Sequence, residues 1–555
     1  MSRYQVPKIA LTLLIAAGTG CAASSGIQKP LTPVVQTIQQ QPQQPASCLS
    51  CGYMQEGRYD AVIRMLTSRT GPFSYKDSLN LGTAYLIAGY TNNAIYVFKS
   101  MLEQYPQDVA VMNNLSVALY TSGLHDVGKS IMRNTDMLSG NAYPVVFNLA
   151  QIDTFDGQYA KAAASLTGVA SQPISDIGWG VLYLKKKDYG RAVASLTKAL
   201  ASYPKNPAVY RGIGMAYAGM GQTVPAINNL KRAIELDRSL IGTFIPLSML
   251  QESEGRRDQA KRSLERGIER AEKIKAADLY LYARYMIAFI KAMYRQAGYA
   301  DSILLINKTL PQIQSLKDKD LNVRIYNIAG DDYFALKAFH RAVQAYSYVL
   351  HYDPNNEHAY KGTASAYLAM PIMPILPGQP HGQSRPQSRT DNLQKAIENI
   401  KKAISIDPND ADAFVIAGNI YYAYSQNISG EQRTEQFNNA ILSYVKASAL
   451  SPGNSGIQIK LGALYYLADK DKMSIQSLHD AIRNGANPEL AMPLLAGVYY
   501  LSGNYATALG EYDKLIERFP SYCPAYTAKG LILMRTGRKQ EAESVLEQSD
   551  RCRAR

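Results

Sequence analysis

The sequence predicts an all-α chain, a solenoid of tandem helical hairpins, and three observations predict it. One apolar pattern returns at a period of about 34 residues from Tyr75 onward. Helix-stopping prolines punctuate it at Pro106, Pro204, Pro354, Pro408, Pro452 and Pro520, the last two 68 residues apart. At 555 residues the chain is longer than a single core organises, yet its 46% hydrophobic and 19% charged residues suit a folded protein. A repeat array reconciles the two, because each unit packs only on its neighbours.

Residues 1–20 read as an export signal. Arg3 and Lys8 precede the apolar run Ile9 to Ala17, which is too short to span a bilayer, and small residues follow up to Cys21. Gly18-Thr19-Gly20-Cys21 resembles a bacterial lipobox, with Gly18 where leucine is usual. The resemblance implies that Cys21 is lipidated and, with Ala22 after it, that the protein is passed to the outer membrane, facing the periplasm. Cleavage after Gly20 or Ala23 would instead give a soluble periplasmic product. Residues 21–47, rich in Gln and Pro, read as a flexible tether with a reach on the order of 25–30 Å. Residues 48–74 read as an N-terminal half repeat or cap around Gly57.

The clearest repeat is Leu81-Gly82-x-x-Tyr85, then Gly89, Ala94, Phe98 and Pro106. Leu81 and Tyr85 share one helix face, Gly82 admits a second helix, Gly89 breaks the chain, and Ala94, Phe98 and Met101 stripe the next helix. Other copies read Gly214-x-x-Tyr217, Gly221, Ala226, Leu230; Gly330-x-x-Tyr333, Ala342, Tyr346, Pro354; and Leu495-Ala496-x-x-Tyr499, Gly503, Ala508, Tyr512, Pro520. This pattern resembles the tetratricopeptide repeat family. The resemblance implies a right-handed α-solenoid with a concave groove lined by first helices, and about twelve to thirteen units over residues 75–555. Two insertions interrupt the array. Residues 370–390 form a proline-rich loop between the helices of one unit, and residues 425–434 form a polar extension of a hairpin turn.

Chemistry-bearing motifs are few. Gly123-Leu-His-Asp-Val-Gly128-Lys129-Ser130 matches the phosphate-binding loop pattern, but Leu115 and Leu119 place a helix before it where that loop needs a strand. A nucleotide hydrolase is therefore a remote alternative. The six histidines show no paired zinc spacing, and no catalytic site, cofactor, metal or nucleic-acid site is expected. Cys48 and Cys51 lack a second pair for zinc, and Gly52 stands where a haem motif has histidine, which leaves a local disulfide as the favoured reading. Cys523 opens the first helix of the last hairpin and Cys552 closes its second, so antiparallel packing brings them together, as a disulfide or as free thiols.

Forty tyrosines against one tryptophan suggest half-exposed contact surfaces. In Tyr421-Tyr422, Tyr465-Tyr466 and Tyr499-Tyr500 the second ring turns about 100° from the first. Tyr422, Tyr466 and Tyr500, with Phe334 and Tyr120 in corresponding places, are the candidate groove wall; packing between neighbouring first helices is the competing role. The Lys and Asn set by which some family members clamp a terminal carboxylate is incomplete, with Asn113, Lys361 and Asn419 in separate units. Net charge of +14 favours acidic partners. The expected function is a cell-envelope scaffold that holds protein segments in its groove and assembles a pilus, secretion or polysaccharide-export machine; the alternative is a module binding peptidoglycan or acidic glycans.

Overall fold

In the computed structural model the described residues are 50, 54, 59–69, 71–237, 240–275, 279–371 and 388–553. The expected signal, lipidation at Cys21, tether, Cys48 and Cys51 pairing, and residues 372–387 of the proline-rich loop lie outside them. Among the described residues there are 27 α-helices and no strand. None of these helices is long and apolar enough to cross a membrane.

The chain divides into two compact units, one ending at Leu321 and one beginning at Asn322. In the first, a lone helix α1 (Tyr59–Thr67) precedes the pairs α2 (Tyr75–Ala88) with α3 (Thr91–Gln104), α4 (Val109–Ser122) with α5 (His125–Ser139), and α6 (Tyr143–Phe155) with α7 (Tyr159–Gly168). Then come α8 (Ile174–Lys185) with α9 (Tyr189–Ser202), α10 (Pro207–Gly219) with α11 (Thr223–Leu236), α12 (Phe244–Ser253) with α13 (Arg257–Ile274), and α14 (Leu279–Arg295) with α15 (Tyr299–Ser315). The second unit begins within α16 (Lys319–Ala335), which is followed by α17 (Phe339–Tyr352). It continues with α18 (Glu357–Ala369) and α19 (Arg389–Ile406), α20 (Ala411–Ser425) and α21 (Gly430–Leu450), and α22 (Ser455–Leu467) and α23 (Asp471–Arg483). The pairs α24 (Pro488–Leu501) with α25 (Tyr505–Arg518) and α26 (Cys523–Arg535) with α27 (Lys539–Arg553) complete it.

Local chemistry fixes where each helix starts and stops. Asp108, Asn206, Asn356, Asp410 and Asn454 cap first helices by accepting backbone N–H groups two or three residues on. Turns close when a backbone N–H reaches back five residues, as Tyr90 to Tyr85 (2.8 Å), Gln222 to Tyr217 (2.9 Å) and Asn504 to Tyr499 (2.8 Å). The turn requires a left-handed residue, supplied by Gly89 (φ 87°) and Gly123 (φ 103°). The second helix of a hairpin seats a large side chain against small residues of its own and the next first helix: a Cβ on Gly330 of α16 or Gly362 of α18 would meet the Tyr346 ring of α17 at 2.4 or 2.3 Å.

The 425–434 insertion differs from the extended turn expected. Residues 426–429 make the turn, and α21 already runs from Gly430 for 21 residues, longer than the 13 of α23. Glu431, Gln432, Arg433 and Glu435 are good helix formers, so the extra polar residues lengthen a helix instead of a loop.

Candidate partner-binding face

First helices of the second unit leave one stripe uncovered. On α24, Ala491, Leu495 and Val498 are buried against the core, whereas Leu490 (60% exposed), Leu494 (40%) and Leu501 (60%) lie on another face at i, i+4 and i+11. Between Leu494 and Leu501 on that face, a Cβ on Gly497 would meet nothing within 4 Å. The matching face of α22 carries Lys460, Ala463 and the exposed Leu467, and that of α26 carries Ala528, the exposed Leu531 and Arg535. Arg535 donates to the Tyr500 hydroxyl (3.1 Å), with its guanidinium 5.6 Å from that ring's centroid. Exposed leucines on adjacent first helices are thus edged by cations.

Toward α16 the same side of the unit becomes polar and internally paired. Asp331 accepts from the Tyr346 hydroxyl (2.6 Å) and lies 2.8 Å from Nε2 of His358, and this bond raises the imidazole pKa against the opposing effect of burial. Lys361 bonds Asp410 (2.5 Å) and Glu357 (2.9 Å). Burial opposes its charge, but the two carboxylates outweigh it and the ammonium pKa is raised. Asn419 accepts from the Tyr444 hydroxyl (2.6 Å) and from Lys460 (2.8 Å). These groups are spent on one another, so the apolar end is the part of the face free for a partner.

The five aromatic residues expected on the groove wall are not brought together. Three pack across their own hairpin turn: Tyr422 lies 6.2 Å from Phe437, Tyr500 5.6 Å from Tyr505 and Phe334 5.5 Å from Phe339. Tyr466 is half-buried against Leu478, Leu495 and Val498. Tyr120 is a correction to that expectation, because it is 5% exposed, edge-on to His125 at 4.6 Å, and donates its hydroxyl to Asp156 (2.8 Å). Burial and that bond raise its pKa, and a ring so enclosed cannot meet a ligand. The leucine stripe was missed, although its signal is legible: α24 is apolar on every face, which a helix needs only if both faces are covered.

The remaining motifs are structural. Gly123 turns the chain between two helices, α4 and α5, and Lys129 is held by Asp156 (2.7 Å), leaving no strand-to-helix cradle for phosphate. Asn113 is buried and accepts from Asn148 (3.0 Å). Cys523 and Cys552 are disulfide-bonded with Cα atoms 5.5 Å apart. Among the described residues no group of three His, Cys, Asp or Glu is placed to hold a metal ion.

Comparison with known proteins agrees with this architecture. Models of the tetratricopeptide repeat match residues 177–240, 387–410 and 494–554. The TPR repeat-containing protein YpiA of Bacillus subtilis (strain 168) is 27% identical over 188 residues, 33% of this chain and 43% of that protein. The chain thus spans less than half the length of that curated relative. Among solved structures, TTC0263, a thermophilic TPR protein of Thermus thermophilus, has 18% identity and a TM-score of 0.28, covering 39% of this chain and all of that one. Yeast Tom70 has 12% identity and a TM-score of 0.37, covering 77% of this chain and 95% of that one. Proteins built of such repeats generally mediate protein–protein contacts and complex assembly, with peptides bound in the groove, and generally carry no catalytic site. Residues 177–240, 387–410 and 494–554 match models of the tetratricopeptide repeat, and in these stretches the all-α chain is similar to proteins of that repeat family.

Proposed function

We propose that this chain is a cell-envelope scaffold, anchored by lipid at Cys21, that uses the open face of α22, α24 and α26 to hold a protein partner of a pilus, secretion or polysaccharide-export assembly. The exposed stripe Leu490, Leu494 and Leu501 carries the reading. Contiguous apolar side chains gain from burial at about 25 cal/mol per Å² only when another surface covers them. Arg535 at its edge favours a helix or extended segment with leucine-like anchors and acidic flanks. The same apolarity speaks against an acidic glycan, which offers little to bury. Envelope placement rests on the charged, apolar and small-residue order of residues 1–21.

Photocrosslinking in cells tests it. A photoreactive residue at Leu494 should capture a discrete envelope protein, and one at Leu304, exposed on α15, should not. Capture should vanish in L490D/L501D with helicity unchanged. Identical products from both positions, or none from Leu494, would refute the binding face. Cys21→Ser should release the chain from the membrane fraction, and retention there would refute the anchor.

A further inference from the structure

A cavity of about 240 Å³ opens between the start of α2 and the length of α3, and its lining is aromatic: Phe73, Tyr75, Tyr96 and Tyr105, with Ser78 and Gln104 among them. Tyr75 and Tyr105 meet edge to face at 5.2 Å, and the Tyr75 hydroxyl donates to Asp108 (2.9 Å), which fixes that wall. Tyr96 is different, because it is 76% exposed. The repeat does not call for a ring at its position. Copies aligned on Ala94 through Ala226, Ala342 and Ala508 have Asn228, Gln344 and Gly510 there. A ring left in water beside an aromatic cavity gains from burial only when something enters.

The chain leading into this hairpin is fastened at the rim of the same cavity. Ser50 is fully buried against α2: its backbone N–H and its hydroxyl donate to Asp77 Oδ1 (3.0 and 2.6 Å), and the hydroxyl accepts from Asn80 (2.9 Å). Asp77 is flanked in sequence by residues whose neighbours Tyr75 and Ser78 line the cavity. Just before Ser50 the sequence reads Gln41-Pro42-Gln43-Gln44-Pro45-Ala46. Pro45 is five residues from Ser50, a span of up to about 17 Å.

We propose that this cavity is the docking site for residues 41–46 of the same chain, with Pro42 and Pro45 set against its rings. Prolines three apart fall on one edge of a polyproline II helix, a shape that aromatic-lined grooves take up because it loses little freedom on docking. The carbonyls of such a helix make no bonds within it, and Ser78 and Gln104 supply donors at the cavity. Attachment through Ser50 keeps the segment at a local concentration on the order of millimolar, so the chain's own prolines outcompete those of a second copy. The tether is then shortened to the residues before Gln41, and the first unit is held to it at α2 and α3. The inference is independent of the leucine stripe on α24 and of lipid at Cys21.

A photoreactive benzophenone residue at Gln104 in the full chain tests this. Irradiation of the purified protein should join position 104 to residues 41–47 of the same chain, mapped by peptide mass, in a yield that dilution leaves unchanged. The yield should fall roughly tenfold in P42A/P45A and in Tyr96→Ala, and hold at the wild-type level in P30A/P33A, with helicity the same in all three. A yield that falls on dilution would make a second copy the occupant and overturn the proposal. A link that survives P42A/P45A, or products that never include residues 41–47, overturns it as well.

Discussion

One position of the repeat is used in opposite ways by three early first helices of the first unit and two late ones of the second. Five residues before the turn carbonyl, the first unit places Asn80, Asn114 and Asn148, all buried. Asn114 and Asn148 are stitched along the first helices: Asn114 donates to Thr83 (3.2 Å), Asn113 to Asn114 (3.3 Å) and Asn148 to Asn113 (3.0 Å), while Asn80 donates to Ser50 (2.9 Å). At the same place the second unit has Lys460 and Leu494, both exposed. Short amides on adjacent helices satisfy each other and seal the face, whereas a lysine and a leucine have no such use for one another. The hairpin is a constant frame, and the side chains at this one position decide whether its inner face becomes core or contact surface.

The largest expected effect lies in the hairpin of α26 and α27. Among the described residues that hairpin packs on α25, and the Cys523–Cys552 disulfide closes it across a separation of 29 residues. Replacing both cysteines by serine should cost about 3–4 kcal/mol of local stability on the loop-closure model. Hydrogen exchange over residues 523–553 reads this directly, and protection unchanged in the double variant would show that α26 and α27 hold by packing alone.

Next in size is the reciprocal exchange at the shared position. Asn148→Leu removes the donor to a buried acceptor on Asn113 and should destabilise by about 1–3 kcal/mol. Leu494→Asn, on the open face, should stay within about 0.5 kcal/mol. Denaturant midpoints measure both, and equal losses would erase the distinction between a sealed and an open row.

Much of this was legible in the sequence, and the limits are instructive. The repeat period, the turn glycines and the stopping prolines are local features, and they located the hairpins. The aromatic positions were less readable. A ring following the turn tyrosine can swing toward the groove or across its own turn, and aromatic neighbours at His125, Phe339 and Tyr505 draw Tyr120, Phe334 and Tyr500 the second way. Exposure of Leu494 depends on how far apart successive first helices stand, which no single helix encodes.

The polar end of the open face should respond to pH. His358 has its pKa raised above the ordinary value of about 6.5 by the bond with Asp331. Protonation therefore favours the folded form, so this contribution is complete below about pH 6.5 and is lost as the pH rises through the raised pKa. Half-exposure of the imidazole keeps the effect small. Asp331→Asn should move the His358 resonance midpoint downward in an NMR titration, and an unmoved midpoint would mean that Asp331 does not set it.

The smallest effect belongs to the sealed unit and bears on chemistry. Lys129 pairs with Asp156, both about a quarter exposed, and Asp156 keeps the Tyr120 hydroxyl as a second partner. Lys129→Ala should therefore cost roughly 0–1 kcal/mol, the range of a solvent-reached ion pair. A phosphate-loop lysine would behave otherwise, since its removal ends nucleotide binding while hardly touching the fold. Equilibrium dialysis against ATP and magnesium separates the two: the helical setting of Gly123 to Ser130 predicts no binding by either protein. Binding by the wild type that disappears in Lys129→Ala would require this hairpin to open into a strand-led cradle.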